Sequence, residues 1–143
     1  MICTFGCAEE RSTNPRQIDY RLYVAADRTG TVYVADLCSL SVVDSIPGIG
    51  NAKFLSATPD GEYLLMSCWD SLSSGRLLRY SLKSKTVDKT LNTTSYSSFI
   101  LVQGGKYFIT WVNDLEIIET ETFASVGRIP NNYQHIPSID VTD

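Results

Sequence analysis

The stretch "PDGEYLLMSCWDS", residues 59–71, reads as a tight turn, a run of strand-forming residues and a second polar loop. Pro59 presets the first central position of the turn, and Gly61 accepts the positive φ that other residues resist. A related stretch, "QGGKYFITWVND" (103–114), follows. Gly61 recurs as Gly105 and Tyr63 as Tyr107, each 44 positions on.

The recurrence extends in both directions. "TVYVADLCSLSVVDSI" (31–46) aligns with "RLLRYSLKSKTVDKTL" (76–91) at an offset of 45, which pairs Val32 with Leu77, Tyr33 with Leu78, Leu37 with Leu82, Val42 with Val87 and Ile46 with Leu91. A third copy, "LEIIETETFASVGRI" (115–129), starts about 38 residues later. The mean spacing is a little over about 40, the period of a four-stranded propeller blade.

Each copy parses into short strands rich in Val, Ile, Leu, Tyr and Phe, separated by Gly, Asp, Asn, Ser and Pro. Strand a reads "AKFLSAT" and "SSFILVQ"; strand b reads "RLYVAAD", "EYLLMSC" and "KYFITWV". Strand c reads "TVYVAD", "RLLRYS" and "LEIIET"; strand d reads "SVVDSI", "TVDKTL" and "ASVGRI". The a-to-b and c-to-d turns fall on one face, because alternate antiparallel turns alternate sides. No segment shows a helical period, so the expected fold is all-β, built of four-stranded antiparallel blades.

"RLYVAADRTGTVYVADLCSLSVVDSI" followed by "ATPDGEYLLMSC" resembles the YVTN-type β-propeller repeat. That unit runs Leu-Tyr-Val-x-Asn, a short loop, Val-x-Val-Ile-Asp, then a Pro-Asp-Gly turn. The resemblance covers residues 20 to 142. The third unit departs from it, with "VQGGK" in place of Pro-Asp-Gly, and no strand a precedes "RLYVAAD". It implies a propeller and leaves function open, since propellers serve as scaffolds, lectin-like binders, sensors and enzyme subunits.

The missing strand a has a counterpart at the other end. "HIPSIDVT" (135–142) fits the strand-a pattern, so residues 20–143 hold three blades' worth of strands, circularly shifted by one. Rings contain about four to eight blades, so three do not close. The expectation is either part of a longer propeller or copies that join into a ring, with "HIPSIDVT" pairing to a strand b of the "RLYVAAD" type from another blade or another chain. Closure of this kind hides strand edges that would otherwise template aggregation.

The chain has 143 residues, 43% hydrophobic and 20% charged, with a net charge of −4. Sixteen carboxylates against twelve Lys and Arg leave no basic stripe for phosphates, so no nucleic-acid partner is expected. No apolar run approaches the roughly 20 residues of a membrane span. Cys3, Cys7, Cys38 and Cys68 include no CxxC and there is one histidine, so neither a zinc site nor a redox pair is expected. Cys38 in a c-to-d turn and Cys68 at the end of a strand b lie near opposite faces and are not expected to pair. Residues 1–19 read as a tail or tether. A small residue before Cys7 and a polar stretch to Pro15 resemble the end of a bacterial lipoprotein signal, with a possible lipid anchor at Cys7, but the basic start is missing and the apolar part is only "MICTF". A frayed terminus is the simpler reading. The export signal would imply a periplasmic or cell-surface location.

Candidate functional residues are few. Asp27, Asp70, Asn113 and Asp114 recur in b-to-c loops, where a metal or basic partner is one reading and bonding to the turn backbone the simpler one. Trp69 and Trp111 close strands b, where packing between blades is the simpler reading and ligand stacking the other. His135 has no Ser or Cys partner at a catalytic spacing. Asn92-Thr93-Thr94 matches the glycosylation acceptor pattern, which is frequent by chance. The loops carrying Tyr96, Asn131, Asn132, Tyr133 and His135 form the most interaction-like face, rich in aromatic and amide groups. The expected function is a non-catalytic interaction or scaffold module without cofactor or metal, completed by a protein partner or by self-association. The alternatives are part of a propeller-containing periplasmic dehydrogenase or hydrolase, and a carbohydrate-binding propeller.

Overall fold

A computed structural model describes residues 21–26, 29–69, 75–93, 98–111 and 114–130. Eleven strands are present among them: β1 Arg21–Ala26, β2 Thr31–Asp36, β3 Ser41–Ile46, β4 Asn51–Ala57, β5 Tyr63–Trp69, β6 Gly75–Ser81, β7 Thr86–Thr93, β8 Ser98–Val102, β9 Tyr107–Trp111, β10 Leu115–Glu119 and β11 Ser125–Ile129. They form three antiparallel sheets in chain order, β1-β2-β3, β4-β5-β6-β7 and β8-β9-β10-β11. The described residues place three strands in the first sheet, and the segments that bear on its strand a, before Arg21 and at 135–142, lie outside them. The only helical element described is a 3-10 turn at Gln103–Gly105.

The core lies between the sheets. Val32, Val34 and Ile46 of the first sheet pack against Leu64, Met66, Cys68, Leu78 and Tyr80 of the second. On its other face the second sheet sends Leu65 and Leu77 against Phe108, Ile118 and Phe123 of the third. Both faces of the middle sheet are buried, so β5 reads as the nearly unbroken run "YLLMSCW" rather than as apolar-polar alternation.

The turns repeat with the strands. In the second sheet Thr58 N–H donates to Tyr63 O and Gly61 N–H to Thr58 O, both at 2.9 Å, closing the Pro-Asp-Gly turn. Asp60 Oδ1 accepts the Thr58 hydroxyl at 2.5 Å and Glu62 N–H at 2.9 Å, which fixes the turn from inside. The third sheet lacks Pro-Asp and makes the same reversal through the 3-10 turn, with Gly104 at φ +62° and Gly105 at φ +86°.

Each c-to-d turn closes through a non-glycine residue at positive φ: Leu40 at 51°, Lys85 at 56° and Phe123 at 62°. Lys85 N–H donates to Ser81 O and Phe123 N–H to Glu119 O, at 2.9 and 2.8 Å. These turns sit beside the a-to-b turns, since Leu82 N–H reaches Glu62 O and Thr120 N–H reaches Lys106 O. On the other face, Ile49 N–H donates to Gly30 O at 3.0 Å, joining a b-to-c loop to a d-to-a connection.

A bulge recurs in every sheet. The c–d register slips between Val34 and Ala35, between Arg79 and Tyr80, and between Ile117 and Ile118. The extra residues on strand d are Val43, Asp88 and Val126. Bulges increase local twist, and here one of them places a carboxylate where its repeats carry valine.

Candidate functional site

The face expected to bind is largely beyond view. Tyr96, Asn131, Asn132, Tyr133 and His135 lie outside the described residues, as do Asp27, Asp70, Asn113 and the strand-a segment 135–142. Asp114 is described, and its Oδ2 pairs with Arg128, accepting Nε–H at 2.6 Å and contacting Nη2. A side-chain ion pair therefore engages this carboxylate. Trp69 is 42% exposed and stands at the rim of its sheet rather than in the core. Asn92 is exposed on β7. Cys38 is exposed and Cys68 buried, and the two do not pair with each other. Among the described residues no cluster of His, Cys, Asp and Glu has the arrangement of a metal site.

The described residues instead bring out two crevices on the a-to-b and c-to-d face, one between each pair of sheets. The crevice between the second and third sheets, about 390 Å³, is lined by Thr58, Asp60, Glu62 and Tyr63 on one side and by Gly104, Gly105, Lys106, Glu119, Thr120 and Glu121 on the other. Arg79 spans the two sheets beneath it. Its Nε donates to Asp88 Oδ1 at 3.0 Å and its Nη2 to Oδ2 at 2.6 Å. Nη1 donates across to Thr120 O and Glu121 O at 2.5 and 2.6 Å, and the guanidinium carbon lies 4.3 Å from the Tyr63 ring centroid. The Asp88 carboxylate raises the affinity of this guanidinium for its proton.

The crevice between the first and second sheets is larger, about 530 Å³. It is lined by Arg21, Tyr23, Val34, Asp44 and Ile46 and by Ala57, Gly61, Tyr80, Leu82 and Lys85. Lys85 Nζ donates to Asp44 Oδ2 at 2.6 Å across the sheets, and this bond, followed by the Ser45 N–H, holds the Asp44 carboxyl below its usual range. Burial, then the Asp44 charge, push the Tyr80 phenol up, so it stays a protonated donor at neutral pH. Sequence reasoning missed both crevices, because each juxtaposes residues from different repeats. The signal that marks Arg79 is nonetheless visible in the repeat alignment, where a charged residue stands at the position of Val34 and Ile117.

The outer face of the first sheet forms a third feature. Leu22, Val24 and Tyr33 are 46%, 45% and 38% exposed there. Their repeat equivalents in the second sheet, Leu64, Met66 and Leu78, are 0%, 0% and 3% exposed against the preceding blade.

Among solved structures the chain is similar to hydrazine synthase from Kuenenia stuttgartiensis, with a TM-score of 0.67 and 18% identity over 78% of this chain and 33% of that one. It is also similar to the dihydro-heme d1 dehydrogenase NirN in complex with DHE, with a TM-score of 0.66 and 15% identity over 80% of this chain and 26% of that one. Both are β-propeller-like, and the chain spans about a third and about a quarter of their lengths. The fold is therefore all-β, with antiparallel sheets of three and four strands arranged as in propeller-containing proteins. No family model and no curated protein matches the chain, so the narrower YVTN-type resemblance has no counterpart there.

Proposed function

We propose that this chain is a propeller interaction module, an arc of three blades that works inside a larger propeller and has no chemistry of its own. The observation that carries the reading is the open apolar face of Leu22, Val24 and Tyr33, whose equivalents in the second blade, Leu64, Met66 and Leu78, are covered by the preceding sheet. Such a contiguous exposed face marks an interaction surface. Its complement is another blade, either further along the same protein or in a second copy. An inner strand beside β1, which the described residues do not include, is on this reading supplied by a segment of strand-a pattern, as residues 135–142 carry.

Solution mass of the full chain as a function of concentration tests this. We expect concentration-dependent association, abolished when Leu22→Glu and Val24→Lys place charges on the open face, and shifted by deleting residues 135–143. A wild-type chain that remains monomeric, and is neither more nor less heat-resistant after the deletion, overturns the reading.

A second reading is part of a propeller-containing enzyme. It draws support from the two similar structures, a synthase and a dehydrogenase. At these identities the likeness reaches only the fold.

A further inference from the structure

The crevice between the second and third blades is acidic. Asp60, Glu62, Glu119 and Glu121 line its roughly 390 Å³ together with Lys106, four negative charges against one positive and a net of −3. Arg79 beneath it leaves that sum unchanged, because Asp88 grips its guanidinium at two points. Among the described residues no carboxylate of the lining is in an ion pair. Asp60 accepts the Thr58 hydroxyl and the Glu62 N–H, Glu119 accepts the Thr122 hydroxyl at 2.8 Å, and Lys106 Nζ lies 5.1 Å from the Tyr107 ring centroid. A cleft lined by one sign of charge concentrates the opposite sign, and its volume falls within the roughly 300–1,000 Å³ of small-molecule sites.

Thr120 points to a ligand independently of the charges. It lines the same crevice and is only 6% exposed, yet its Oγ1 has no hydrogen-bond partner among the described residues. A buried hydroxyl without a partner carries its desolvation cost unrelieved, and an N–H donor seated against it removes that cost. The Thr120 carbonyl already accepts Arg79 Nη1 at 2.5 Å, so the hydroxyl is what this residue has left to offer. The carboxylates are spread rather than convergent, since no group of His, Cys, Asp and Glu among the described residues is placed to hold a metal ion. An extended cation with several N–H groups suits that spread better than a single ion, which needs its oxygens gathered around one point.

We propose that the crevice between the second and third blades binds a linear aliphatic polyamine. One ammonium donates to Thr120 Oγ1, and the others meet the carboxylates of Glu62, Glu119 and Glu121. This does not rest on the interaction-module reading, because both walls of the crevice lie within the described residues.

The test titrates the full chain with spermidine, with n-butylamine as a single-ammonium counterpart and Mg²⁺ as a compact dication, and follows binding by calorimetry and NMR. Saturable one-to-one binding of spermidine is expected, with butylamine weaker by about tenfold or more. Glu62→Gln with Glu121→Gln should weaken spermidine by about tenfold, whereas Glu9→Gln with Glu10→Gln, which removes the same charge from the N-terminal tail, should change it by less than about twofold. Thr120→Val deletes the hydroxyl at constant shape, and should weaken spermidine by about threefold while the melting temperature without ligand holds or rises. If Thr120→Val fails to fold, the glutamate pair decides. Absence of saturable spermidine binding, an equal loss in the tail and crevice variants, unchanged binding by folded Thr120→Val, or displacement of spermidine by an equal concentration of Mg²⁺ overturns the proposal.

Discussion

Asp88 grips the guanidinium of Arg79 at two points, Nε to Oδ1 at 3.0 Å and Nη2 to Oδ2 at 2.6 Å, from the bulged position of its strand. The bulge turns this carboxylate toward Arg79, and the grip leaves Nη1 free to bond two carbonyls of the next sheet. A single buried side chain thus joins a strand, its neighbour and the following blade.

Arg79→Ala strips Asp88 of its counter-charge and leaves the Thr120 and Glu121 carbonyls without this donor. Breaking a buried pair costs about 3–5 kcal/mol. Asp88 is 31% exposed, so water recovers part of that, and the lower end, about 3 kcal/mol, is expected. Asp88→Ala should cost less, since Arg79 keeps both carbonyls and its contact with Tyr63. A double-mutant cycle read by urea unfolding gives the coupling. A cost for Arg79→Ala below about 1 kcal/mol would show that the clamp adds little.

Ser67 predicts the opposite sign. It is fully buried in β5 and its Oγ has no hydrogen-bond partner among the described residues. An unpaired buried hydroxyl carries its desolvation cost with no return, so Ser67→Ala is expected to be neutral or to stabilise by up to about 1 kcal/mol. A urea midpoint falling by the equivalent of more than about 1 kcal/mol would mean that the hydroxyl is satisfied in solution.

These two residues also show where reading the sequence stops. The strands are legible because Val, Ile, Leu, Tyr and Phe alternate between turn residues at a period near 40, and the observed β4 to β11 fall on the expected segments within a residue or two. The turns are legible through Gly61 and Gly105. The burial of Arg79 is not, since an arginine in a short strand reads as a solvent-facing residue unless the repeats are stacked and Asp88 is seen opposite it. Left-handed Leu40, Lys85 and Phe123 carry no glycine to announce them. The candidate site was sought in aromatic and amide-rich loops that fall outside the described residues, while the crevices arise only once blades are side by side.

Acid should destabilise the fold through three carboxylates. The Thr58 hydroxyl and the Glu62 N–H hold the Asp60 carboxyl below its ordinary value of 3.8. The Ser39 N–H and hydroxyl do so for Asp36, and Lys85 does so for Asp44. A carboxyl whose pKa is lower in the folded state contributes stability above its unfolded pKa and loses it as pH falls through the folded one. The urea midpoint should therefore hold above about pH 5 and decline from about pH 4 downward. Asp60→Asn keeps an acceptor oxygen for Thr58 and Glu62 but no longer titrates, so it should flatten part of that decline. An unchanged acid limb in this variant would remove Asp60 from the account.

The final prediction separates two costs at a glycine. Gly61 and Gly105 occupy equivalent a-to-b turns at φ +71° and +86°. A Cβ on Gly61 meets nothing within 4 Å, so Gly61→Ala carries only the backbone penalty of the left-handed region, about 1 kcal/mol. A Cβ on Gly105 collides with Cδ of Pro59 in the neighbouring blade's turn. Gly105→Ala should therefore cost about 2 kcal/mol or more, the backbone term plus a clash between two rigid turns. Pro59→Ala removes the ring and so relieves the clash, leaving the backbone term in place. In the double variant Gly105→Ala should consequently cost about as much as Gly61→Ala does alone, a coupling of about 1 kcal/mol or more between residues 46 positions apart. If the two glycine substitutions cost the same in the wild-type background, or if the Pro59 change leaves the cost of Gly105→Ala untouched, the two turns are not in contact and the packing between second and third blades is wrong at this face.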